Sequence, residues 1–197
     1  MIRPNYLKEG NTVAIVSTAR KISKKELIPA ITILKKWELK VVLGTSIETE
    51  EHQFAGNDKL RTSDFQTMLD HPEIDAIWCA RGGYGTVRII DQLDFSNFKN
   101  HPKWIIGYSD VTVLHAHLHQ LGIETLHAQM PLSIETKSDA TINSIKATLF
   151  GEHYRIKVLS EKNNSTGKAS GQLIGGNLSI LYSLCGSPSA LNTKGKI

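Results

Sequence analysis

The sequence predicts an α/β fold: a doubly wound parallel sheet, followed by the start of a second, incomplete domain. Three observations carry that prediction. Short apolar runs rich in β-branched residues alternate roughly five times with stretches of helical periodicity. The connections between them are short, so successive strands are joined by right-handed crossovers. After Gly151 the alternation stops, and a polar stretch over 160–170 precedes a new apolar segment.

Thr12 to Ser17 is a β-branched run that reads as a buried first strand. Ser23 has Glu26 three residues on, a capping-box spacing, and Leu27, Ile31 and Leu34 continue a helical face to about Trp37. Lys40 to Leu43 gives the second strand, and residues 44–57 form a polar, turn-rich loop. Asn57-Asp58 opens a second helix with Leu60, Phe65, Met68 and Leu69 inward, ending near Pro72. Ile74 to Ala80 is the third strand, followed directly by Arg81-Gly-Gly-Tyr-Gly85 and a helix from Thr86 through Leu93. Trp104 to Gly107 is the fourth strand. From Asp110 the spacing of Val111, Leu114, Leu118 and Leu121 is helical, and Gly122 stands at the C-cap position. Glu124 to Leu126 gives a weak fifth strand, and Ser138 to Phe150 a last helix. The whole is an open sheet of the flavodoxin or Rossmann kind. Tyr154 to Leu159 alternates like a strand, and Gly171 to Asn177 introduces a short apolar helix, Leu178 to Cys185. The expected organisation is therefore 1–159 as the α/β domain, 160–170 as a linker, and 171–197 as the opening of a truncated second domain.

A net charge of +4 is spread along the chain with no basic stripe, which argues against nucleic acid as a partner. No segment approaches 18 apolar residues and the amino terminus has no apolar h-region, so neither membrane nor export is expected, and the location read is cytoplasmic. Cys79 and Cys185 sit in apolar surroundings without a C-x-x-C partner and read as reduced core residues.

In a parallel sheet the loops after the strands gather at one edge, where ligands bind. Those loops are Ser17–Arg20, Arg81–Gly85, Tyr108–Asp110 and His127–Met130. Ser109 stands where a strand turns into a helix, as the serine of a nucleophile elbow does. The G-x-S-x-G match is incomplete, since Val111 and Thr112 follow Asp110, and Ser109 as a plain N-cap stays open. The glycines at 82, 83 and 85 could bring backbone N–H groups against an oxyanion, or simply make a tight turn. His115, His117 and His119 point in different directions on a helix. Only His115 and His119 could share a ligand, and no H-E-x-x-H motif accompanies them, so no metal is expected. His127 stands at a strand end, and no Ser-His-Asp set can be assembled from these residues alone.

Together, Arg81-Gly-Gly-Tyr-Gly85, Gly107-Tyr-Ser-Asp110 with Thr112 and Leu114, His127 with Met130-Pro131, Gly175-Gly-Asn-Leu178 and the opening Leu7 to Ser17 resemble the LD-carboxypeptidases, the S66 serine peptidases. That family comprises muramoyl-tetrapeptide carboxypeptidases, which remove a terminal D-alanine from cytoplasmic cell-wall peptides, and microcin-immunity relatives. The resemblance implies Ser109 as nucleophile and the N–H groups of Asp110 and Gly83 as the oxyanion hole. It also points to Arg81, Tyr84 and His127 as substrate contacts, a muropeptide as partner, and no metal or organic cofactor. A homodimer is left open. The family's glutamate and histidine lie beyond Gly-Gly-Asn-Leu, past the last residue of this chain, so the 197 residues are expected to carry a nucleophile without its base. Ala128 stands where relatives often have glycine. The rival reading is a non-catalytic module in which Arg81 and the glycine loop hold an anionic small molecule and Ser109 only caps a helix.

Overall fold

The computed structural model describes residues 1–156, 159–165 and 167–197. Five strands, β1 (Thr12–Val16), β2 (Lys40–Leu43), β3 (Ala76–Cys79), β4 (Trp104–Gly107) and β5 (Leu126–His127), form one sheet in the order β2-β1-β3-β4-β5. Every neighbouring pair is parallel. The side-chain period of two sorts the strands onto two cores. Val13, Ile15, Ala76, Trp78, Trp104 and Ile106 face α1 (Lys24–Lys36) and a later helix over Asp139–Phe150. Ala14, Val16, Ile77, Cys79 and Ile105 face α2 (Asp58–Asp70), α3 (Ser96–Asn100) and α4 (Thr112–Gln120). The helix over Asp139–Phe150 is α5, so helices cover both faces, as a doubly wound sheet requires.

Helix starts follow local chemistry. The Ser23 side chain accepts from Glu26 N, and the Glu26 carboxylate accepts from Ser23 N, completing the capping box. The side chains of Asn57 and Ser138 accept from Leu60 N and Thr141 N to cap α2 and α5, and Gly151 closes α5 with φ 77°.

Three elements differ from expectation. Thr86 to Leu93 is no continuous helix but two 3₁₀ turns, Thr86–Arg88 and Ile90–Gln92, followed by the short α3. Gly85 enters at φ 157°, and Ile89 and Ile90 are both buried, so adjacent side chains turn inward where an α-helix would separate them. The fifth strand is Leu126–His127, not Glu124 to Leu126. In the strand expected over 154–159, residues 157 and 158 lie outside the described residues, and Tyr154 to Ile156 carry no strand.

The carboxyl-terminal part packs onto α4. Asn177 N donates to Thr112 Oγ1 at 3.0 Å, and Asn177 caps α6 (Leu178–Ser183). At Gly176, φ 153°, a Cβ would stand 2.4 Å from Thr112 Cγ2, so only glycine allows this approach. Leu184 enters the core beneath α4 and Ser189 Oγ lies 2.9 Å from His117 Nδ1, while Leu173, Leu178 and Tyr182 stay about four-fifths exposed, at 80%, 81% and 81%. Cys185, expected in the core, is exposed: Leu184 takes the inward direction and the next residue turns outward. No helix among the described residues is long and apolar enough to cross a membrane.

Candidate active site

The carboxyl edge of the sheet brings the loops after β1, β3, β4 and β5 together. Ser109 is the second residue past the end of β4, and its backbone sits in the left-handed region at φ 61°. A side chain there costs roughly 1–3 kcal/mol, a strain the surroundings must hold. A 3₁₀ turn, Ser109–Val111, leads into α4 with Tyr108 as its N-cap, and among the described residues the Ser109 side chain makes no hydrogen bond. Its hydroxyl is therefore not occupied as an N-cap. A Cβ on Gly107 would meet Val111 Cγ2 at 2.8 Å, so the close approach of helix to strand is secured by a glycine before the serine and a valine after it.

The glycine loop lies against this corner. A Cβ on Gly82 would stand 3.2 Å from Ser109 Cβ, 3.4 Å from Ser109 Oγ and 3.3 Å from the Met130 methyl. Gly83 has φ 132°, and the stem of Arg20 packs over it, with Cγ and Cδ at 2.6 and 2.7 Å from where a Cβ would be. The N–H groups of Gly83 and Asp110 donate to no backbone acceptor among the described residues. Tyr84 is about half exposed, with its ring 6.3 Å from that of Phe54. Arg81 is turned aside: Nη1 donates to the Lys21 carbonyl at 3.0 Å, and its buried Nε has no partner. His127 is exposed at the end of β5, with its ring 6.3 Å from Tyr108 and 5.7 Å from His115.

Two side chains that the sequence reading passed over hold these loops together. Asp110 was read only for its N–H, yet its buried carboxylate accepts from Thr86 N at 2.9 Å and pins the glycine loop to the elbow. Burial pushes its pKa up, against the pull of the Thr86 contact and of Arg61. Arg61, 1% exposed on α2, donates to Thr18 O at 2.5 Å, Gly85 O at 3.0 Å and Gly56 O at 3.3 Å, and pairs with Asp58, which also holds Arg88. Thr18 Oγ1 and Thr86 Oγ1 lie 2.8 Å apart. One guanidinium thus ties the β1 and β3 loops by their carbonyls. An arginine amid Asp58, Lys59 and Asp64 looks solvent-facing in sequence, and only the buried carbonyls opposite it reveal the role.

Two of the helical histidines, His115 and His117, have partners within the fold. His115 is buried, with Nε2 at 2.9 Å from Gly107 O and Nδ1 at 2.8 Å from Thr125 Oγ1. A carbonyl can only accept, so Nε2 carries the proton and Thr125 donates to Nδ1. No cluster of three metal-ligating side chains occurs among the described residues. Burial pushes the His115 pKa down to about 4, so the folded state holds it neutral. Its folded value lies below the unfolded 6.5, so the stability it confers is present above pH 6.5 and is lost as pH falls toward 4. Between pH 7 and pH 5, denaturant titrations should show a loss that exceeds that of His115→Gln by on the order of 2 kcal/mol, the rest coming from groups such as His117, His119 and His127, whose pKa values burial also lowers. An equal loss in the variant would assign the pH dependence to other groups.

A family model, Peptidase_S66, the LD-carboxypeptidase N-terminal domain, matches residues 13–128. Over 202 aligned residues the chain is 37% identical to a probable murein peptide carboxypeptidase of Bacillus subtilis, covering 99% of this chain and 63% of that protein. It is 28% identical over 191 residues to the murein tetrapeptide carboxypeptidase of Pseudomonas aeruginosa, covering 91% and 62%. The crystal structure of a muramoyltetrapeptide carboxypeptidase from Oxalobacter formigenes superposes with a TM-score of 0.84 at 28% identity, covering 92% of this chain and 62% of that one. The chain therefore spans a little under two thirds of the length of these relatives.

Proposed function

Because the chain belongs to the S66 LD-carboxypeptidase family, we propose that it carries the nucleophile side of a serine carboxypeptidase that removes a terminal D-alanine from murein tetrapeptides. The observation that carries this reading is Ser109 at φ 61°, on a strand-to-helix corner against the glycine loop. A strained serine whose hydroxyl caps nothing is what a nucleophile elbow needs.

In the proposed reaction Ser109 Oγ attacks the carbonyl carbon before the terminal D-alanine while a base takes its proton. The N–H groups of Asp110 and Gly83 receive the oxyanion. Collapse of the tetrahedral intermediate breaks the C–N bond and the amine leaves with a proton returned by the base. Water then hydrolyses the acyl-serine. Tyr84 and His127 flank the path of the peptide, and the Asp110 carboxylate keeps the glycine loop in register with the elbow. The family resemblance implies a histidine as that base and a glutamate as its orienting acid.

The test uses protein expressed from its full reading frame. It should release D-alanine from a tetrapeptide and take up a fluorophosphonate probe at Ser109, located by peptide mass. Gly83→Ala forces a side chain onto φ 132° and against Arg20. Misaiming one oxyanion donor should lower kcat by roughly 10²-fold with a modest change in KM. If the full-length protein binds the peptide but neither labels nor turns over, the anion-binding module replaces the peptidase.

A further inference from the structure

Carboxypeptidases act beside a free terminal carboxylate, so a complementary cation is needed about one residue length from the nucleophile. Most cations of this edge are already engaged. Arg61 is spent on three backbone carbonyls and Asp58. Arg88 pairs with Asp58, Lys21 with Glu50 and Lys24 with Glu48. Arg81, a substrate contact by the resemblance, donates from Nη1 to the Lys21 carbonyl.

Arg20 is different. It is exposed, and its guanidinium forms none of the ion pairs found among the described residues. Its backbone is nevertheless fixed. Ser17 Oγ donates to Arg20 O at 2.5 Å, Ser17 N donates to Ser46 Oγ at 2.8 Å, and Ser46 N in turn donates to the buried Asp64 at 2.9 Å. An antiparallel bridge to Phe54 holds the other side. From that anchor the Arg20 stem lies across Gly83, whose neighbour Gly82 abuts Ser109 Oγ. The stem therefore packs on the residue next to the one that meets the hydroxyl.

We propose that Arg20 binds the C-terminal carboxylate of the peptide and so sets the preference of the site for a free terminus. The inference rests on the carboxypeptidase reading above. A guanidinium can take both carboxylate oxygens at once in a fixed plane, which an ammonium cannot, and its packing on Gly83 places it beside one of the assigned oxyanion donors.

The test compares a tetrapeptide ending in D-alanine with its C-terminal amide, using protein from the full reading frame. Arg20→Gln should lower kcat/KM on the acid about 10²-fold, mostly through KM, and leave the slow reaction of the amide unchanged. Arg20→Lys should restore part of the acid preference. Calorimetry in a Ser109→Ala background should show the same acid-specific loss of affinity without turnover. An equal loss on acid and amide, no loss on either, or collapse of the preference in Arg81→Gln in place of Arg20→Gln would each overturn the assignment. Failure of the carboxypeptidase reading would look different: wild-type protein would release no D-alanine from the acid at all.

Discussion

Ser109→Ala in protein from the full reading frame is expected to lower kcat by roughly 10⁴-fold or more while leaving the affinity for a D-alanine-terminated peptide within about tenfold. The hydroxyl contributes in the transition state, where it becomes the new C–O bond, and adds little to ground-state binding. Alanine at φ 61° bears the same backbone strain as serine, so the variant tests chemistry and not folding. Ser109→Gly completes the argument. Glycine accepts the left-handed region freely, so this variant should be inactive and yet about 1 kcal/mol more stable than Ser109→Ala. Steady-state kinetics, peptide titration and denaturant unfolding of both variants read the two effects separately. Full activity in Ser109→Ala would remove the peptidase reading at its centre.

The second large effect is on stability. Arg61→Met keeps most of the side-chain volume but leaves the Thr18 carbonyl without a donor, the Gly85 carbonyl with Arg88 N alone and Asp58 with the Arg88 side chain alone. A carbonyl stranded away from water costs about 1–3 kcal/mol, and Asp58, part-exposed and still paired with Arg88, adds little. An overall loss of about 1–3 kcal/mol is expected, read as a lower denaturant midpoint. Arg61→Lys should recover less than half of it, because a single ammonium cannot span the Gly56, Thr18 and Gly85 carbonyls. Destabilisation below about 1 kcal/mol would mean that the loops are held chiefly by Asp110 and the Thr18–Thr86 contact.

The parallel sheet was legible because β-branched runs such as Thr12–Val16 and Trp104–Gly107 leave no other way to bury both faces. The corner proposed as a nucleophile elbow was legible in part. Its usual second glycine is missing, and the Gly107–Val111 contact that replaces it depends on three-dimensional fit. Thr86 to Leu93 misled because its apolar spacing suits a helix, whereas Gly85 and the pull of Asp110 on Thr86 N set a tighter winding. Arg20, Arg61 and the Asp110 carboxylate could not be assigned beforehand, since a charged residue declares a buried or bridging role only through the partners the fold brings to it. Cys185 was misplaced by one position of helical rotation.

The strand order β2-β1-β3-β4-β5 also bears on how the protein is made. Once β1 and β2 have paired, every later strand joins an edge already present: β3 beside β1, β4 beside β3, β5 beside β4. No strand has to be inserted between two that emerged earlier. Domains assemble as the chain leaves the ribosome, at about 5–20 residues per second, so this sheet can grow in the direction of translation. The loop bearing Gly83 then emerges before Ser109, the proposed nucleophile, and is pinned once the Asp110 carboxylate behind it reaches Thr86 N.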